Sequence, residues 1–122
     1  MMHDEALQQA SRALNAGRPQ EAERIAAAVL KTNPRHAGAL HVAGYALLMR
    51  RRFDDAIAML EPVARSQHNA EFDTQLAIAL RGAGRDDDAL ARLKRAIKRK
   101  PPFAAAFVEL GDLLTTMKRL IR

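Results

Sequence analysis

The sequence has no cysteine and no tryptophan, and only one tyrosine and four phenylalanines. Without cysteine there is no disulfide framework, no thiolate metal site and no cysteine nucleophile. That usage suits a reducing compartment, and the cytoplasm is the expected location. The shortage of aromatic and β-branched side chains argues against a sheet. Long apolar runs are missing as well. The most apolar stretch, 37–49, contains His41 and falls well short of the roughly 20 residues that span a bilayer. Membrane insertion is therefore not expected, and Arg50, Arg51 and Arg52 after that stretch follow a buried helix. At the amino terminus His3, Asp4 and Glu5 stand where a signal peptide needs basic and then apolar residues, so no secretory signal is read there.

What is abundant is alanine, about a fifth of a chain that is 48% hydrophobic and 28% charged. This composition belongs to a globular protein, and the length to one domain, 1–122. Small residues in such number favour helices lying close together. The net charge of +6 is uneven: residues 81–122 hold eleven Lys/Arg against five Asp/Glu, whereas residues 1–80 hold nine of each.

A repeat runs through the chain. Pro34, His68 and Pro101 are almost evenly spaced, and Ala22, Ala56 and Ala89 keep the same two intervals. Ahead of each alanine lies a turn: Gly17-Arg18-Pro19, Arg51-Arg52-Phe53 and Gly84-Arg85-Asp86. After it runs an apolar stripe at helical spacing: Ala22, Ala26, Val29; Ala56, Leu60, Val63; Ala89, Leu93, Ala96. Before each turn a second pattern recurs. Leu40, Ala43, Gly44 and Leu47 are matched by Leu76, Ala77 and Leu80, and by Phe107, Leu110, Gly111 and Leu114. Glycine inside a helix costs about 1 kcal/mol against alanine, so its use there implies close approach of another helix. Pro34 and Pro101 separate units. Asp54-Asp55 and Asp86-Asp87-Asp88 open helices at the positive end of the dipole. Pro62 should kink its helix or remove a bond.

A helix–turn–helix unit of about 34 residues with a large-x-x-Leu-Gly-x-x-large core, then Ala, then Pro, resembles the tetratricopeptide repeat. Residues 3–36, 37–69 and 70–102 resemble three repeats, and 103–121 the first helix of a fourth. Ala6 and Asp73 depart from the large opening residue, and His68 replaces a closing proline. The resemblance implies an all-α, right-handed superhelical solenoid of about seven helices.

No enzyme signature stands beside it. The four histidines (His3, His36, His41, His68) have no i,i+4 pairing, so neither metal nor cofactor is expected. Arg81-Gly82-Ala83-Gly84-Arg85 follows a helix, which makes it a helix stop and not a phosphate cradle. Carboxylates such as Glu21/Glu23 and Asp86/Asp88 lie at helix starts, where capping accounts for them.

The resemblance implies a concave surface lined by the first helix of each unit, and with it a protein-interaction scaffold that binds a partner peptide or helix. The residues it points to are Leu7, Ser11, Leu14 and Asn15; His41, Tyr45, Leu48 and Met49; Thr74, Ile78 and Arg81; and Val108, Asp112 and Thr115. Tyr45 combines an apolar ring with a hydrogen-bonding tip, as interaction anchors do. Packing on the next repeat is its other reading. A Lys/Arg/Asn clamp for an acidic chaperone tail is not supported, because Leu7, Ser11, Val42, Tyr45 and Gln75 occupy those places. Arg81 is the one cation expected to face the groove. Arg92, Arg95 and Arg99 form a helical stripe read as a solvated face; nucleic acid is not the expected partner, since Phe103 and Phe107 should pack inward and offer no stacking platform.

In the last helix Phe103, Phe107, Leu110, Leu114, Met117 and Ile121 form one stripe, expected to pack on the third repeat. Ala106, Leu113 and Leu120 add a second apolar surface, expected to be open and, with Leu110 and Met117, to serve self-association. Two alternatives follow: a homodimer through this helix, or a chain that is part of a longer protein. The units Gly-Arg-Pro-Gln-Glu-Ala and Gly-Arg-Asp-Asp-Asp-Ala resemble bacterial arrays preceding sulfotransferase or glycosyltransferase domains, which makes the amino-terminal arm of a larger enzyme the alternative function.

Overall fold

A computed structural model describes residues 3–120, the side chain of Leu120 excepted, and the described residues form helices without strands. In chain order these are α1 (Asp4–Asn15), α2 (Pro19–Thr32), α3 (Ala37–Met49), α4 (Phe53–Ser66), α5 (Ala70–Gly82), α6 (Asp86–Ala96) and α7 (Ala104–Leu120). Thus α1/α2, α3/α4 and α5/α6 are helix pairs, and α7 begins where a fourth pair would.

Local chemistry accounts for the ends. Pro19 opens α2, where its missing N–H has no intrahelical acceptor to lose. Asp54 and Asp55 lie in the first turn of α4, and Asp86 to Asp88 in that of α6. The Asn69 Oδ1 accepts from the backbone N–H groups of Glu71 at 2.7 Å and Phe72 at 3.3 Å, capping α5. Asn69 therefore supplies the stop-and-start signal next to His68, which takes a proline's place. The chain runs as helix through Pro62, whose side chain is exposed.

The first helix of each pair ends in the same way. Arg18 N–H donates to the Ala13 carbonyl at 2.8 Å and Gly17 N–H to Leu14 at 3.0 Å. Arg52 with Leu47, and Arg51 with Leu48, repeat the two bonds, as do Arg85 with Leu80 and Gly84 with Arg81. This pairing needs a left-handed residue at its centre. Gly17 (φ 75°), Arg51 (φ 61°) and Gly84 (φ 82°) are those residues. Arg51 stands where the other two turns have glycine, and its guanidinium lies 5.4 Å from the Phe53 ring centre.

Packing divides the chain into two compact units that meet within α4, between Val63 and Ala64. In the first unit α1, α2 and α3 pack on one another. Their core is alanine-rich: Ala10, Ala13, Ala22, Ala26, Ala43 and Ala46 with Val42, sealed by Leu7, Leu14, Ile25, Leu30 and Met59. Side chains this small let the backbones approach closely. Closest of all is Gly44, where a Cβ would stand 2.5 Å from both Cγ and Cδ2 of the fully buried Leu60 on α4.

In the second unit α5, α6 and α7 repeat the three-helix arrangement, each helix packed on the other two. Ala70, Ala96 and Ala106 form an alanine contact with Ile97 and Phe103 against it. α5 is enclosed so completely that Asp73, Thr74 and Gln75, three polar residues in a row, are all buried. The Asp73 carboxylate is satisfied by two guanidiniums from the other helix of its pair and the turn after it: Arg92 Nη1 at 3.3 Å from Oδ1 and Arg99 Nε at 3.2 Å from Oδ2. A charge in that place requires such partners, because an unpaired buried carboxylate is costly.

Candidate binding face

In the first unit the large exposed apolar side chains among the described residues lie on α3. Val42, Ala43, Ala46 and Leu47 turn into the core. His41, Tyr45 and Met49 follow one another at four-residue spacing on another side of the helix. Tyr45 is 38% and Met49 40% exposed, while His41 and Leu48 are half-buried. On the neighbouring α1, Ser11 and Asn15 are exposed, and Leu7 and Leu14 are half-buried because they also close the core. A shallow depression of about 410 Å³ opens on α1 between Asp4, Leu7, Gln8, Ser11 and Arg12. Arg12, Gln8 and Asp4 were not among the expected residues. Asp4, Gln8 and Arg12 stand four residues apart in the row next to Leu7 and Ser11, so i,i+4 spacing along α1 was the available signal.

The second unit corrects two expectations. Thr74 does not face any groove: it is 1% exposed, and its Oγ1 donates to the Ala70 carbonyl at 2.6 Å. Its hydroxyl is satisfied by its own helix, so the side chain can be buried. Arg81 is half-buried and ties α5 to α7: Nη2 donates to Thr116 Oγ1 at 2.9 Å and Nη1 lies 3.9 Å from Glu109 Oε2. The stripe Arg92, Arg95, Arg99 is not a uniformly solvated face either. Only Arg95 is exposed, and the other two hold Asp73, with Arg99 also 3.4 Å from His68 Nδ1. Asp73 was itself the clue, since an acid in the place of a large apolar residue must find bases nearby. Ile78 is half-buried, while Asp112, Val108 and Thr115 are exposed.

Helix α7 is turned the opposite way from the expectation. Ala106 and Leu113, read as an open self-association surface, are both fully buried. Phe107 and Leu114, read as core, are 52% and 46% exposed. Leu110 and Met117 are half-buried, and the side chain of Leu120 and all of Ile121 lie outside the described residues. The cause is close packing. Ala106 brings α7 against Ala70 and Ala96, and Leu113, two turns on, is carried inward with it.

Among the described residues no helix is long and apolar enough to cross a membrane, and no three His, Asp or Glu side chains are grouped to hold a metal ion. The model of the tetratricopeptide repeat matches residues 13–79 and 47–110, most of the chain. The chain belongs to the tetratricopeptide repeat family. Solved structures of such proteins share its fold at low identity. MamA from Desulfovibrio magneticus RS-1 is 24% identical at a TM-score of 0.84, over 93% of this chain and 64% of the MamA chain. The first TPR of Spaghetti (RPAP3), solved with the HSP90 peptide SRMEEVD, is 12% identical at a TM-score of 0.83, over 93% of this chain and 90% of that one. The O-GlcNAc transferase of Thermobaculum terrenum is 23% identical at a TM-score of 0.83, over 89% of this chain but only 21% of its own. The tetratricopeptide-repeat chain thus spans less than two thirds of MamA and about a fifth of the transferase. A search of curated proteins gives no match.

Proposed function

We propose that this tetratricopeptide-repeat chain is a protein-interaction module that holds a peptide or helix of a partner against α1 and α3. One observation carries the reading: Tyr45 and Met49, large side chains one turn apart, are left 38% and 40% exposed on a helix whose other side is core. A flat ring with a hydroxyl tip and a flexible thioether suit an adaptable apolar contact. The ligand that fits carries apolar anchors for Leu7, Tyr45 and Met49, and hydrogen-bonding groups for Ser11 and the tyrosine hydroxyl. An acidic-tail ligand suits it less well, because Val42 is buried in the core and Leu7, Ser11 and Tyr45 supply no cations.

Peptides selected by display against the immobilised protein test this. Their affinity, measured by titration calorimetry, should fall about tenfold to thirtyfold on Tyr45→Ala, the loss typical of an interface anchor worth about 1.4–2 kcal/mol. Unchanged affinity in both Tyr45→Ala and Met49→Ala would refute the site.

A second reading, an amino-terminal arm of a larger enzyme, draws support from the transferase of which this fold makes up about a fifth. Reading the parent gene past Arg122 decides it: an open catalytic domain there supports the arm, and a stop codon removes it.

A further inference from the structure

The starts of α1 and α3 and the end of α2 meet at two imidazoles. His36 is the N-cap of α3, and its Nδ1 accepts from the Ala39 backbone N–H at 3.2 Å. His3 is the N-cap of α1, and the two rings stand edge to face with centroids 5.5 Å apart. The hydroxyl of Thr32, the last residue of α2, gives its hydrogen to the Val29 carbonyl at 3.0 Å. It therefore accepts from His3 Nε2, 3.3 Å away. Gly38 leaves room for the cap, since a Cβ there would lie 3.2 Å from His36 Cε1 and 3.1 Å from Cδ1 of Leu7 on α1. His36 is half-buried beside it.

One repeat later the same place is held by Asn69, which caps α5 with an amide oxygen that does not titrate. His36 caps α3 with a group that takes up a proton between about pH 5 and 8. A protonated imidazole carries hydrogen on both nitrogens and has no acceptor left. Nδ1 would then turn a hydrogen toward the Ala39 N–H, and the charge would sit at the positive end of the α3 dipole. The first turn of α3 holds no acid to offset it, whereas α1, α2, α4, α5 and α6 each begin with at least one. The charged groups nearest in sequence, Asp4 and Glu5 after His3 and Lys31 and Arg35 before His36, are exposed and two of each sign. His3 keeps its own bond on protonation, because Nε2 is already the donor, but it would set a second positive charge against the His36 ring.

We propose that His36 is a pH-sensitive latch on α3, the helix that carries Tyr45 and Met49. Neutral, it holds the first turn of α3 closed beside α1; protonated, it releases that turn and loosens one edge of the proposed binding face. The latch is read from α3 itself, so it stands or falls apart from peptide binding.

The test compares thermal midpoints of the intact protein at about pH 7.5 and about pH 5.5, near the two ends of the imidazole range, for wild type, His36→Asn and His36→Ala. Asparagine caps at both pH values and alanine at neither. On acidification the wild type should lose about 4 °C relative to His36→Asn, the worth of one cap in a chain of this size, and should close its gap to His36→Ala by the same amount. Protonation of His3, His41 and His68 is common to all three proteins and drops out of the differences. Heteronuclear NMR of the imidazoles at the higher pH should show His36 as the Nε2–H tautomer. A gap between wild type and His36→Asn that stays constant across the two pH values overturns the proposal, and so does an Nδ1–H tautomer. If His36→Ala does not fold, the wild-type and His36→Asn pair decides alone.

Discussion

Gly44 and Gly111 hold equivalent places in the repeat but face opposite surroundings, so alanine should act with opposite sign at the two. Inside a helix, alanine gains about 1 kcal/mol over glycine. At Gly111 nothing lies within 4 Å of the added carbon, and the whole gain should appear as stability. At Gly44 the added carbon would stand 2.5 Å from Leu60 Cγ and Cδ2, about 1 Å or more inside a normal carbon–carbon contact. Leu60 is fully buried. Its Cγ belongs to the stem of the side chain, so rotating a methyl does not clear the clash and α3 and α4 must move apart. Overpacking of this kind costs about 1–3 kcal/mol, which outweighs the propensity gain and leaves Gly44→Ala destabilised by about 1 kcal/mol.

The two variants should therefore differ by about 2 kcal/mol, or roughly 8 °C in thermal midpoint at about 4 °C per kcal/mol for a chain of this size. Circular dichroism during heating and urea titration both read that difference. A double-mutant cycle sharpens it: Leu60→Ala alone should cost about 2–5 kcal/mol, and adding Gly44→Ala on that background should cost nothing further, because the carbon it clashes with is gone. Equal stabilisation at both glycines would refute the Leu60 seat. A fall in stability at Gly111 would refute the open face of α7.

Two further substitutions probe the framework. Asp73→Asn leaves the guanidiniums of Arg92 and Arg99 without their shared carboxylate; urea unfolding should show a loss of about 2–3 kcal/mol, at or just below the low end for a broken buried pair because both arginines are partly exposed. Arg51→Gly removes a left-handed residue (φ 61°) from a turn where its counterparts are glycine. It should stabilise by about 0.5–1 kcal/mol, the relief of about 1–2 kcal/mol offset by the lost contact with the Phe53 ring, and a lower thermal midpoint would contradict it.

The ends of the helices were readable from the sequence because short-range chemistry sets them. A turn residue recurring once per repeat marks the left-handed stop of each first helix, and an acidic or proline start marks the second. That signal survives even where the residue type changes, as at Arg51, since spacing and neighbours still identify the turn. The exposed pair Tyr45 and Met49 was readable for a similar reason, because the buried positions of α3 follow the repeat register and these two fall outside them. Thr74 was misplaced because its burial depends on how tightly α5 is enclosed by its neighbours. No pattern within α5 carries that information. The arginine stripe of α6 reads as solvated if α6 is taken alone, and only the buried acid on α5 changes its meaning.

The orientation of α7 shows which sequence argument should have prevailed. The widest apolar stripe, through Phe107 and Leu114, suggests a core by hydrophobicity alone. Repeat register suggests something else: Ala106 and Leu113 lie two repeats after Ala39 and Ala46, which are both fully buried. Ala106 packs α7 on Ala70 and Ala96 of the earlier helices, and the register carries Leu113 inward on the same side. The larger stripe is then left for whatever arrives next. In the second repeat α4 arrives at that stripe, and its leucine seats on the glycine. On α7 the same glycine stands with its large neighbours exposed, so the repeat register carries through to α7 while the Leu60-type contact is not made among the described residues.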